Sequence, residues 1–164
     1  VSLVSEGIMD AKEGAGNEML FDPSEKVSRL EFLVCAMDAF GAGNIPSSSD
    51  AGFADTDTIP EKHRGYVSAA KSLGIVSGVN EGGRMYFRGD EEITYAQAAV
   101  ILNRIIGLES DGTKSLSADV PEWAYRDVCA LTENGILDPY CNVSASVDRA
   151  GCAQIVCEAV RFFD

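Results

Sequence analysis

Two arginines hold corresponding places in this chain. Arg29 follows Ser28 and Arg149 follows Asp148, and serine and aspartate are both good helix N-caps. A guanidinium in the first turn of a helix sits at the positive end of the helix dipole, which is unfavourable by roughly a few tenths of a kcal/mol. That cost is tolerable where the site receives an anion: a guanidinium beside free helix-terminal amides can hold a carboxylate in bidentate fashion. On the sequence alone the simpler reading is an exposed arginine paired with one of the many acidic residues. The matching third position, after Thr94, carries Tyr95. Tyr95 can stack on a sugar or donate one hydrogen bond, but it cannot neutralise a carboxylate. Trp123 is a further aromatic that either stacks on a sugar face or is buried in a helix contact.

The elements that carry these residues announce themselves by their caps. Ser28 with Glu31, and Thr94 with Gln97, have the spacing of a capping box, in which the cap hydroxyl takes the amide proton three residues on and the long side chain reaches back. Asp148 can cap as well, but Gly151 cannot reciprocate. Helices are expected over about 27–41, 93–107 and 147–160. In the second, Ala98, Ile101, Leu102 and Ile105 form one stripe and Ala96, Ala99 and Val100 another, so it should be buried on most sides as a central core helix. A recurrence at roughly 60 residues marks an internal repeat. Gly-Ile pairs at 7–8, 74–75 and 135–136 read as left-handed helix stops. Phe21, Phe87 and Cys141 hold equivalent places ahead of the cap motifs. Front helices are expected at about 60–72 and 121–134, opened by Pro60 and Pro121, the first with Tyr66, Val67, Ala70 and Leu73 at helical spacing, the second with Trp123, Val128 and Leu131 facing inward. One domain over 1–164 then holds repeats at about 1–45, 50–109 and 116–164. The first lacks its front half, so an upstream segment or self-association should cover the bare apolar face. Starting at Val1, the chain reads as a fragment or processed form.

The bulk figures narrow the partners. The 164 residues carry a net charge of −13, with 46% hydrophobic and 24% charged residues. Such a field opposes nucleic acid and anionic lipid, and no apolar run approaches the roughly 20 residues of a membrane span. Cys35, Cys129, Cys141, Cys152 and Cys157 are odd in number and lack zinc-like spacing, so buried free thiols are expected. His63 has no nucleophile pattern beside it. Asp55-Thr56-Asp57 falls short of a calcium loop, and Glu81-Gly82-Gly83-Arg84 reads as a flexible turn rather than a phosphate loop. Asn142-Val143-Ser144 is a glycosylation sequon on paper only. No catalytic, metal or cofactor site is called for.

The whole pattern resembles the S-layer homology repeat. The residues that carry the likeness are Phe53-Ala54-Asp55, Gly74-Ile75, Gly78, Phe87 and Ile93-Thr94; then Asp119-Val120, Trp123-Ala124, Gly135-Ile136 and Val147-Asp148-Arg149-Ala150; and Gly7-Ile8, Phe21-Asp22-Pro23 and Val27-Ser28-Arg29-Leu30-Glu31. The resemblance implies an all-α, pseudo-threefold domain of three repeats around a central three-helix bundle. It also implies non-catalytic binding of anionic, including pyruvylated, secondary cell-wall polysaccharide in grooves between repeats, anchoring an exported protein to the surface of a Gram-positive cell. The motif arginine binds ligand in that family, which singles out Arg29 and Arg149, with Trp123 and Tyr95 as sugar-facing aromatics. The rival expectation is a structural or protein-interaction module that keeps the fold and has lost glycan binding.

Overall fold

The computed structural model describes residues 12–13, 19–20, 22–41, 50–112, 116 and 119–163. The expectations placed on Gly7-Ile8, on Phe21 and on the truncated front of the first repeat, self-association included, lie outside these residues. In chain order the elements are β1 (Lys12–Glu13), β2 (Met19–Leu20), α1 (Arg29–Ala39), α2 (Glu61–Ser72), β3 (Val79–Glu81), β4 (Arg84–Tyr86), α3 (Tyr95–Ile106), α4 (Tyr125–Glu133) and α5 (Arg149–Phe163). Short 3-10 turns at Thr56–Thr58 and Glu122–Ala124 precede α2 and α4.

The all-α expectation fails. β1 pairs with β2 and β3 with β4, each antiparallel, and isolated bridges join Lys26 to Asp148, Ser28 to Glu92 and Thr94 to Ser146. The β3–β4 hairpin turns at Gly82 and Gly83, both at positive φ (57° and 82°), the backbone that a two-residue hairpin turn demands. The expected flexible turn is thus a defined one. Nor is the frame a bundle of three helices alone. α1 packs against α2, α3 and α5, and α3 packs against α4.

What joins the three cap-started helices is a closed ring of backbone hydrogen bonds. The Val27 amide donates to Val147 O (2.9 Å), the Val147 amide to Ile93 O (2.8 Å), and the Ile93 amide to Val27 O (3.0 Å). All three side chains are buried. The ring is a β feature that satisfies buried backbone groups between residues far apart in the chain.

Each helix start is completed by the loop leading to another. Arg29 and Leu30 donate to Glu91 O and Gly89 O; Tyr95 and Ala96 to Ala145 O and Val143 O; Arg149 and Ala150 to Glu25 O and Pro23 O. The third amide of each helix goes to the cap side chain: Glu31 to Ser28, Gln97 to Thr94, Gly151 to Asp148. Glu31 and Gln97 return a bond to the cap amide. The N-terminal amides that any helix leaves without a helical partner are therefore supplied by the fold itself.

Gly74 and Gly135 end α2 and α4 at φ 74°. Ile75 and Ile136 then fold back, their amides donating to Ala70 O and Leu131 O, and both are buried. One inward placement is corrected: Trp123 is 60% exposed, while Val128 and Leu131 are buried; on the α2 stripe Val67 and Ala70 are buried and Leu73 is 72% exposed. Pro121 opens the 3-10 turn rather than α4, so Trp123 sits on a turn that swings it outward.

Candidate functional site

Arg29 leaves the first turn of α1 over the ring of Phe87, with its guanidinium carbon 5.5 Å from the ring centroid. Phe87 is fully buried and packs on Phe53 at 5.8 Å. The loop bearing Phe87 is held by Asp55, whose Oδ1 accepts the Phe87 amide (2.8 Å) and whose Oδ2 accepts the Arg88 amide (2.7 Å). Arg88 stands at φ 56°, an unusual conformation for a residue with a side chain, and the carboxylate grips it there. Asp55 is thus a clamp beneath Arg29, which explains the acidic residue without calcium. Among the described residues no group of three or more His, Cys, Asp or Glu side chains is placed to hold a metal ion.

A groove of about 320 Å³ opens beside Arg29. Arg104 and Gln97 reach it from α3, Ser77 and Gly78 from the loop before β3, and Trp123 from the turn before α4. Gly78 stands at φ 75°, and a Cβ there would meet Phe53 at 2.5 Å and Tyr86 O at 2.8 Å, so glycine keeps this wall close. Arg104 donates to Ile75 O (3.2 Å) and Gly74 O (3.4 Å). Those carbonyls close the preceding helix stop and aim the guanidinium along the groove edge. Gln97 spends Oε1 on the Thr94 amide, which leaves its NH₂ as a donor.

The electrostatics favour an anion. Arg29 has no ion-pair partner among the described residues, and its buried Nε has no hydrogen bond. Burial lowers the guanidinium below its ordinary pKa; Glu91 opposes that, and the positive charge of Arg104 adds to it. Two cations that raise each other's energy lose that penalty when an anion enters between them. The helix-terminal amides are a different matter. The sequence reading counted on free amides beside Arg29, but those of Arg29, Leu30 and Glu31 are all engaged. At this groove the guanidinium groups, not the helix-terminal amides, are the donors on offer.

The other two corresponding positions diverge. Tyr95 is half-buried, and its hydroxyl lies where a Cβ on residue 151 would go; glycine at that position makes the room. Burial raises the Tyr95 phenol above its ordinary pKa, helped by the charge of Asp148 and by Cys141 and Cys152. The tyrosine is packed between α3 and α5 and does not line the Arg29 groove. Arg149 is 6% exposed and does not line it either. Of Arg29, Arg149, Trp123 and Tyr95, the structure therefore brings Arg29 and Trp123 together. The sequence reading missed Arg104, although Gln97, Val100 or Ile101, and Arg104 follow one another at helical spacing on one face. It also treated Gln97 as a cap alone.

His63 makes an edge contact with Tyr66 (6.1 Å between ring centroids), and Tyr66 donates to Asp38 Oδ1 (2.6 Å). No helix among the described residues is long and apolar enough to cross a membrane.

Residues 52–99 match the family model of the S-layer homology domain. The match spans Phe53, the Asp55 clamp, Phe87 and the Thr94 cap, together with Gly78 and Gln97 of the groove lining; Arg29, Arg104 and Trp123 lie outside it. No curated protein matches the chain. The match supports a cell-wall-binding role in general; domains of that family are generally non-catalytic and occur in surface-anchored proteins.

Proposed function

We propose that this chain binds an acidic secondary cell-wall glycan in the Arg29 groove and so anchors an exported protein to the surface of a Gram-positive cell. The observation that carries this reading is the pair of guanidinium groups, Arg29 and Arg104, facing one groove with the open ring of Trp123. A carboxylate on a sugar, such as a pyruvyl ketal, would sit between the cations, with the sugar's apolar face against the indole. Three tandem repeats remain the organisation we propose for the chain. In this reading Arg29 belongs to the groove between the first two repeats. We read the groove that would contain Tyr95 as closed, because the phenol oxygen lies only 2.0 Å from where a Cβ on Gly151 would stand.

A second reading has its own support. That closure, and a net charge of −13, which repels acidic polymers at long range, both suit a scaffold that keeps the fold without binding glycan. Co-sedimentation with purified Gram-positive walls, intact and stripped of their secondary polymer, separates the two. Sedimentation only with intact walls supports the anchor; none with either supports the scaffold.

A further inference from the structure

The sulfurs of Cys35 on α1 and Cys152 on α5 lie 3.9 Å apart, and both residues are buried in the apolar core, 2% and 0% exposed. A disulfide needs sulfurs at about 2.05 Å, so the pair must close by roughly 2 Å. The Cys152 thiol is pushed well up by its contact with Cys35 and by burial, so Cys152 rests as a neutral thiol. We propose that Cys35 and Cys152 are an oxidisable pair that links α1 to α5 by a disulfide when a small peroxide enters the core.

The chemistry closes on the two thiols and one peroxide. One sulfur gives up its proton and attacks a peroxide oxygen; the O–O bond breaks, a sulfenic acid forms, and the departing hydroxide takes the proton as water. The second sulfur attacks the sulfenic sulfur, the S–O bond breaks, and the hydroxyl leaves with the second thiol's proton as another water. Two electrons pass from the sulfurs to the peroxide. Contact between the sulfurs favours the second step over further oxidation, because the resolving thiol is already in place. The resulting link spans 117 positions in sequence, and closing so long a loop restricts the unfolded chain strongly.

The test uses the full chain treated with hydrogen peroxide, blocked with iodoacetamide under denaturing conditions, digested without reduction and mapped by mass spectrometry. The proposal expects a peptide pair joined through Cys35 and Cys152 in monomeric protein, two hydrogens lighter than the thiol form. It also expects a thermal midpoint raised by about 5–15 °C and returned to the starting value by reductant. Cys152→Ser and Cys35→Ser should each lack the linked pair and the shift. Oxidation that stops at sulfinic acid on either residue, pairing of either with Cys129, Cys141 or Cys157, or two thiols still blocked by iodoacetamide would overturn it. The map of the unmutated chain decides this even if a variant fails to fold.

Discussion

Tyr95 and Gly151 are a fitted pair. A Cβ at residue 151 would lie 2.0 Å from the phenol oxygen, 3.0 Å from the ring carbon bearing the hydroxyl and 3.3 Å from Asp148 Oδ1. This accounts for the incomplete capping box of α5: the residue that would have reciprocated is a glycine because the tyrosine lies on it. Gly151→Ala should therefore destabilise the protein by about 1–3 kcal/mol through overpacking, against the roughly 1 kcal/mol that alanine normally gains over glycine within a helix. In a Tyr95→Phe background, the penalty should shrink. Urea unfolding of the four proteins gives the coupling directly; additive effects would mean that the two residues do not share this space.

Asp55 ties the Phe87–Arg88 backbone to the turn before α2. Asp55→Ala leaves two amides without their charged acceptor and should cost about 2–4 kcal/mol in urea unfolding. It should also loosen the ring on which Arg29 rests, so ligand affinity should fall with stability. A loss under about half a kcal/mol would show the clamp to be incidental.

The phenol of Tyr66 is pushed up to about 12 by burial and by its bond to Asp38. An acid with a raised pKa is kept protonated in the folded state longer than in the unfolded one. Its stabilisation is present below about pH 10, the ordinary tyrosine value, and is lost as pH rises from there to about 12. The stability difference between the parent and Tyr66→Phe should be flat below pH 10 and shrink above it. A difference that stays constant to pH 12 would remove Tyr66 from the account.

The caps were legible because a cap and its partner lie three residues apart. Ser28 with Glu31, Thr94 with Gln97, and the glycine stops before Ile75 and Ile136 obey rules confined to one turn of chain. The ring that joins Val27, Ile93 and Val147 obeys no such rule: its partners are brought together only by the folded whole, and an all-helical reading had no place for it. The same distance hid the Asp55 clamp on Phe87 and the meeting of Arg104 with Arg29. Trp123 was misplaced for a local reason, since Pro121 begins a 3-10 turn whose side chains do not follow the α-helical stripe. The hairpin at Gly82-Gly83 follows from its two glycines, whose positive φ suits a two-residue turn.

The central claim is that Arg29, with Arg104 and Trp123 beside it, receives an acidic glycan. Calorimetric titration with an acidic fragment of secondary wall polymer tests it most directly, on the parent, Arg29→Ala and Tyr95→Phe, with folding checked by circular dichroism. Loss of a charge-assisted bidentate contact is worth on the order of 2–3 kcal/mol, or roughly 30- to 150-fold in affinity. The account predicts that loss for Arg29→Ala and an unchanged affinity for Tyr95→Phe. A folded Arg29→Ala protein that binds as tightly as the parent, or a parent that binds no acidic fragment, would contradict it.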